Sequence, residues 1–254
     1  MRLLTLVPVA AALLALIAVA SGQAAAQTDK VYGTTVTEGL FEVQTRGTLD
    51  FDDDPDKSGK QKHKFTMGYG LTDFWWTEII MELERDGEED ADLIYEATEI
   101  ENVFELAEED GLMPGLGLYT EIVIAEKEGK ANALKWRALG QKHWGPTRHR
   151  LNVNFDWELG TNADEDIKLG YAWQTKWKLW KLFSPGFEAY GDFGEISDFK
   201  SGADQKHQIG PIVYIEHPIR ETGKIELLLG YYVGLSRAAA DQTFRWMLEY
   251  KAKF

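Results

Sequence analysis

From Arg150 to Leu159 every second residue is apolar: Leu151, Val153, Phe155, Trp157 and Leu159. Between them stand Arg150, Asn152, Asn154, Asp156 and Glu158. Side chains of a strand point alternately to its two faces, so this segment has one greasy face and one polar face. A helix would scatter both sets around its circumference. The same period governs 167–179, where Ile167, Leu169, Tyr171, Trp173, Trp177 and Leu179 alternate with Lys168, Gly170, Ala172, Gln174, Lys176 and Lys178. Read along the whole chain, the alternation predicts twelve strands, over 36–51, 61–71, 74–85, 93–107, 116–125, 132–142, 148–160, 167–179, 186–197, 206–216, 224–235 and 242–254. Ten and fourteen strands are the alternatives. Most blocks reach the roughly 9–11 residues that a tilted strand needs to cross a bilayer.

Alternation alone leaves the solvent of the apolar face undecided. A soluble barrel or sandwich turns that face inward, and a transmembrane barrel turns it outward. Mean hydropathy is −0.33, and beyond the first residues no run of eighteen apolar residues occurs, which excludes a multi-helix membrane protein. The start of the chain reads as a secretory leader over 1–26: Arg2, an apolar stretch from Leu3 to Ala20, and small residues at Ala24 and Ala26. Residues 27–254 are then one domain, since no Pro- or Ser-rich linker divides them.

Three features favour the outward arrangement, an antiparallel up-and-down transmembrane β-barrel. The last segment places Phe244, Trp246, Leu248, Tyr250, Ala252 and Phe254 on one face. A final strand of this form, ending in Phe, looks like the signal read by the outer-membrane barrel assembly machinery, with Leu248, Tyr250 and Phe254 as its candidate residues. Aromatics gather towards strand ends, Tyr69, Trp75, Phe104, Trp177, Phe187 and Phe254 at one rim and Phe51, Trp157, Phe193, Phe244 and Trp246 at the other, as interfacial girdles require. The connections also alternate, the first, third and further odd-numbered ones being acidic and longer, the others short and rich in Pro and aromatics. Outer loops and periplasmic turns differ in this way. One block fits badly: in 93–107, Glu96 and Asn102 share a face with Ile94, Ile100 and Phe104, which calls for a bulge.

The stretch Gly68-Tyr69-Gly70-Leu71-Thr72-Asp73-Phe74-Trp75 and the opening Gln208-Ile209-Gly210-Pro211 resemble small Gram-negative outer-membrane barrels of the transporter-like group named for the meta-pathway of phenol degradation. The resemblance implies a barrel in the outer membrane that passes small, in part apolar, solutes, and it supplies no catalytic residues. The chain shows no long N-terminal segment to plug a lumen, unlike fatty-acid transporters of the long-chain type.

With the apolar face outward, the other face lines the interior. Glu78, Glu82, Glu84, Glu99, Glu101, Glu105 and Glu121 then form an acidic wall. Lys135, Arg137, Arg150, Lys168, Lys176 and Lys178 form a basic one, with Asp156 and Glu158 among them and Arg245 on the last strand. Two readings follow. Opposed walls create a transverse field that orients dipolar solutes. Alternatively the long side chains cross the bore, pair and close it, because twelve strands enclose a lumen between the filled and the water-filled cases.

Other chemistry finds little support. A net charge of −15 disfavours nucleic acid as a partner. Cysteine is absent, which removes thiolate metal sites and thiol nucleophiles. His207 with Ser197 or Ser201, and His63 with Ser58, are the Ser–His pairs available, and neither has a nucleophile elbow or a third orienting group. His143 and His149 lack metal-ligand spacing. The acidic loops (Asp52, Asp53, Asp54, Asp56, Glu88, Glu89, Asp90, Asp92, Asp164, Glu165, Asp166) lack the pattern of an EF-hand, though hard oxygen ligands of this kind suit divalent cations bridging to lipopolysaccharide. The expectation is a passive channel for small hydrophilic or amphipathic solutes, without cofactor, metal or catalytic residues, in contact with lipid and lipopolysaccharide. A non-conducting structural or adhesive barrel and a soluble periplasmic binding barrel are the alternatives.

Overall fold

The computed structural model describes residues 30–55, 57–87, 91–160, 163, 166–219 and 223–253. Its strands are β1 (Leu40–Phe51), β2 (Gln61–Gly70), β3 (Trp75–Arg85), β4 (Leu93–Ala107), β5 (Gly115–Ala125), β6 (Asn132–Trp144), β7 (Thr147–Leu159), β8 (Lys168–Trp177), β9 (Phe183–Glu195), β10 (Lys206–Ile219), β11 (Gly223–Gly234) and β12 (Gln242–Lys253). Each pairs with its sequence neighbours, and β1 meets β12 antiparallel, from Leu40 opposite Lys253 to Phe51 opposite Gln242. The result is a closed cylinder with no free edge, as hydrocarbon demands of backbone N–H and C=O groups. The rim where β1 starts and β12 ends is the terminal rim, and the opposite one the distal rim.

The greasy face points away from the cylinder axis. Phe65, Met67, Ile79, Met81, Ile122, Ile124, Leu151, Val233 and Tyr250 are exposed, Ile79 at 51%. The alternating residues between them are buried. Large apolar side chains exposed on the outward face of strand after strand match a lipid-facing barrel wall. The soluble-barrel alternative is therefore corrected by the orientation itself. Aromatic pairs stiffen the rim regions, with Trp75 stacked on Phe104 at 5.9 Å and Trp177 edge-on to Phe187 at 6.1 Å.

The expected bulge in β4 is present twice, where the register shifts opposite Glu82/Leu83 and between Glu105 and Ala107. At the first, Glu96 and Ala97 are both buried in succession. Tyr95 and Ile100 can then both face outward although one is odd and the other even.

The strand drawn over 36–51 begins only at Leu40. Residues 30–39 instead lie inside the cylinder, which corrects the expectation that no N-terminal segment fills the lumen. Gly39 has φ 73°, a conformation that breaks the strand and sends the preceding chain inward. Its N–H donates to the carbonyl of Gly70 at 2.9 Å. Gly70 also permits close passage: a Cβ there would stand 2.0 Å from the Thr37 carbonyl oxygen. The Gly-Tyr-Gly stretch singled out in the sequence therefore contains the notch through which this segment leaves the bore. The leader over 1–26 and Phe254 fall outside the described residues, as do Asp56, Glu88, Glu89, Asp90, Asp164 and Glu165.

Candidate functional site

Each strand of the wall contributes every second residue to the interior. From β1 these are Glu42, Gln44, Arg46, Thr48 and Asp50, all buried. Leaving such groups dry and unpaired is costly, and most of them bond to one another or to the adjoining β12, with Arg46 reaching Glu101 of β4. Three guanidinium groups are central to this: Arg46 (1% exposed), Arg137 (2%) and Arg245 (1%).

The acidic residues predicted on β3–β5 all point inward, but they do not form a separate wall. Lys64 donates to both oxygens of Glu99 (2.8 and 2.7 Å) and lies 2.7 Å from Glu82. Lys62 bridges Glu82 and Glu84 at 2.8 and 2.6 Å. Lys135 and Arg137 hold Glu121 at 2.8 and 3.6 Å, and Arg46 lies 3.5 Å from Glu101. Carboxylate oxygens of Glu99, Glu101 and Glu121 converge to within 4.8 Å of one another, and each of the three carboxylates has its own Lys or Arg partner. Glu78, opposite Glu101 in the β3–β4 register, is buried with both oxygens lacking a donor.

A second network crosses from β12 to β9. Arg245 Nη1 donates to Glu188 at 2.7 Å and to the Tyr190 hydroxyl. Glu188 also accepts from Gln174 (2.7 Å), Tyr190 (2.8 Å) and Tyr232 (2.5 Å). Beside it the interior is apolar, with Val31, Ile212, Tyr214, Leu228 and Met247 in one cluster.

The N-terminal segment threads between the two networks. The Tyr32 amide donates to Asn152 Oδ1 at 2.8 Å, and Asn152 Nδ2 donates back to the Tyr32 carbonyl at 3.0 Å. The Tyr32 hydroxyl donates to Glu101, and the ring lies 4.5 Å from that of Tyr119. The Val36 amide donates to Glu105 at 2.8 Å, and Val36 packs with Trp76, Val103 and Leu139. Lys30 reaches Glu42 at 2.9 Å and Glu249 at 3.6 Å. Glu105, predicted as lumen lining, is thus an anchor for this segment.

Of the predicted basic residues, Lys168 pairs with Glu158 at 2.7 Å near the distal rim. Arg150 and Lys176 line a cavity of about 440 Å³ at the terminal rim. Lys178 borders the same cavity, but it is exposed in the β8–β9 turn, not on the inner face of a strand, because β8 ends at Trp177. Sequence reasoning missed Arg46, Lys62, Lys64, Glu188 and Tyr32. The perfect polar alternation of β1 from Glu42 to Asp50 was the available signal for Arg46.

The candidate Ser–His pairs do not form. Ser197 donates to Asp166 and Ser201 to Asp204, while the His207 ring meets Gln205 at 2.9 Å and Tyr171 at 3.4 Å. His63 faces Gln61. In the distal loops Asp52 accepts from the amides of Asp54 and Asp241, and Lys57 donates to the Arg237 carbonyl, joining the β1–β2 and β11–β12 loops.

At the terminal rim Glu109, in the β4–β5 turn, clamps the end of β6. It accepts from the His143 amide at 2.9 Å and ring Nδ1 at 2.7 Å, and from Lys142 at 2.9 Å. These bonds, the His143 ring foremost, hold its carboxyl down to about 2. A depressed carboxylate stabilises the fold above its unfolded pKa near 4.3 and loses that contribution as pH falls through 2. Glu109→Gln is expected to remove about 1 kcal/mol or less at pH 7, because the clamp is solvent-screened. The difference from wild type should vanish by about pH 2 in urea melts of the micelle-bound barrel.

No protein-family model matches the chain, and no curated protein matches it. Solved structures do. An outer membrane channel from Pseudomonas putida F1 aligns with TM-score 0.60 at 12% identity, covering 90% of this chain and 100% of that one. The NanC porin aligns with TM-score 0.52 at 9% identity, over 84% and 100% of the two chains. The KdgM porin in complex with disordered oligogalacturonate gives 0.50 at 9% identity, over 84% and 99%. Identity this low establishes fold alone. With its closed ring of twelve antiparallel strands, outward apolar belt and charged interior, the chain has the fold of an outer-membrane β-barrel.

Proposed function

We propose that the protein is a passive outer-membrane channel for small hydrophilic or amphipathic solutes, and that residues 30–38 are its gate. The observation that supports this most is that the bore is filled by a segment that is not part of its wall. Twelve strands close and pair without residues 30–38, so the segment can leave while the barrel stays intact.

The energetics of the seated segment fit a gate. Burying Val31, Tyr32 and Val36 contributes about 5–9 kcal/mol at ~1.5–3 kcal/mol per side chain. The hydrogen bonds that hold the segment add roughly 1 kcal/mol each, or about 6 in all. Ordering nine backbone residues costs about 9–18 kcal/mol. The opposing sums are comparable, which places seated and released states within a few kcal/mol of each other. A fused plug would need a much larger margin.

In this reading the terminal rim lies in the periplasm, residues 1–26 are removed on export, and the last strand with Leu248, Tyr250 and Phe254 is presented to the barrel assembly machinery. The distal loops meet lipopolysaccharide. The transporter-like group named for the meta-pathway of phenol degradation is the family to which we assign it. The networks around Arg46, Arg137 and Arg245 give the alternative of a non-conducting structural barrel its own support. Planar-bilayer recordings separate the two. The channel reading expects discrete steps from the folded wild type, and a folded barrel that never conducts, with or without residues 30–38, would overturn it.

A further inference from the structure

The chain carries a net charge of −15, yet the cavity at the terminal rim is lined by seven Lys and Arg residues against three Glu. We infer that this cavity is a binding site for a small organic anion bearing two or more carboxylates. The inference does not require conduction: the cavity opens at the terminal rim, with Lys30 and Val31 of the seated segment in its lining.

The groups that distinguish this cavity are Arg148 and Arg150. Arg46, Arg137 and Arg245 each have a carboxylate within 4 Å. Arg148 and Arg150 have none among the described residues. Arg148 donates from Nη2 to Gln174 at 3.0 Å, and its Nε is buried with no partner. Arg150 spends Nε on Gln141 at 2.7 Å and Nη1 on the Val31 carbonyl at 3.3 Å. Both are on the inner face of β7, two residues apart.

Their neighbours raise the positive potential further. Lys176 stands directly opposite Arg148 in the β7–β8 register. Like charges so placed in a ladder destabilise the sheet. Lys176 has one carboxylate partner, Glu216 at 3.1 Å, and Lys178 in the adjoining turn has none among the described residues. Four neighbouring cations, Arg148, Arg150, Lys176 and Lys178, against the one carboxylate of Glu216 leave an excess of positive charge that a bound anion would neutralise. A volume of about 440 Å³ falls in the range of small-molecule sites. Guanidinium forks match planar carboxylates two bonds at a time, and this favours a carboxylate ligand over a halide or a neutral sugar. The Tyr214 ring, with Lys176 Nζ 4.1 Å from its centre, gives the carbon skeleton of such a ligand an apolar side to lie against.

The test is calorimetric titration of the full-length folded barrel in micelles with citrate, and with glucose as the neutral control. Citrate is expected to bind with a dissociation constant below about 1 mM at 0.1 M salt, weakening as salt rises, and glucose to give no heat. Arg148→Gln with Lys178→Gln should weaken citrate by at least about ten-fold. Arg148→Lys, which keeps the charge and so protects the fold, should weaken it by a smaller factor. Lys200→Gln, on an exposed distal loop, should leave binding unchanged. The proposal is overturned by absence of citrate binding to the wild type, by equal affinity in the Arg148 variants, or by an equal loss in Lys200→Gln. Since calorimetry reads binding without current, its outcome is independent of whether the barrel conducts.

Discussion

Deleting residues 30–38 is expected to turn a barrel that opens rarely into one that stays open. The wall has no contact that depends on covalent continuity with this segment, since β1 starts at Leu40 and pairs along its length with β2 and β12. What the deletion removes is Val31, Tyr32, Thr34 and Val36, all buried within the bore. It also releases Asn152, Glu105 and Arg150 from their bonds to the segment. Those polar groups then face a water-filled gap, which supplies the hydrogen bonds they lose. Single-channel recordings should show long-lived steps several times larger than any wild-type event. Heat-modifiable gel migration would confirm that the shortened barrel is folded.

The second large effect concerns stability. Arg245→Met should destabilise the barrel by about 3–5 kcal/mol, the usual consequence of leaving one charge of a buried pair uncompensated. Glu188 would remain as a buried carboxylate fed only by Gln174, Tyr190 and Tyr232. Glu188→Gln should cost a comparable amount, because Arg245 has no other carboxylate partner within 4 Å among the described residues. The double variant should recover much of the loss, a coupling that a double-mutant cycle measures directly. Urea unfolding in micelles reads all three. Shifts below about 1 kcal/mol in both single variants would mean that the lumen is wet at this level and the pair is screened.

The wall was legible from sequence because, for most of the chain, its two faces differ in kind. On β7 the outward set runs Leu151, Val153, Phe155, Trp157 and the inward set Asn152, Asn154, Asp156, so the period itself gives the strand and its orientation. The pattern fades in β11, where Leu228 and Tyr232 face inward and Tyr231 and Val233 outward, yet turn residues still fixed its limits. The interior segment was not legible. Val36 and Thr37 are β-branched, strand-favouring residues, so the sequence reads as one strand where a strand and an inserted peptide meet. Only Gly39, whose positive φ interrupts the strand, marks the boundary. The pairing across the lumen was also out of reach. Alternation says that Glu121 and Lys135 both point inward. Whether Glu121 meets Lys135 or faces an opposing wall depends on adjacency in the register, where the two are direct partners. Neighbouring strands bring such cations and carboxylates together, so Glu121 and Lys135 neutralise one another at a seam instead of facing each other from opposed walls.

The gate assignment is tested most directly by fastening residue 34 to the wall. A Cβ at position 115 would lie 2.8 Å from Thr34 Oγ1, close to the sulfur-to-carbon reach within a disulfide. The chain has no cysteine to interfere. In Thr34→Cys with Gly115→Cys, oxidation should abolish the conducting steps and reductant should restore them in the same membrane. Steps that persist unchanged while the cross-link is shown to be complete would contradict the account.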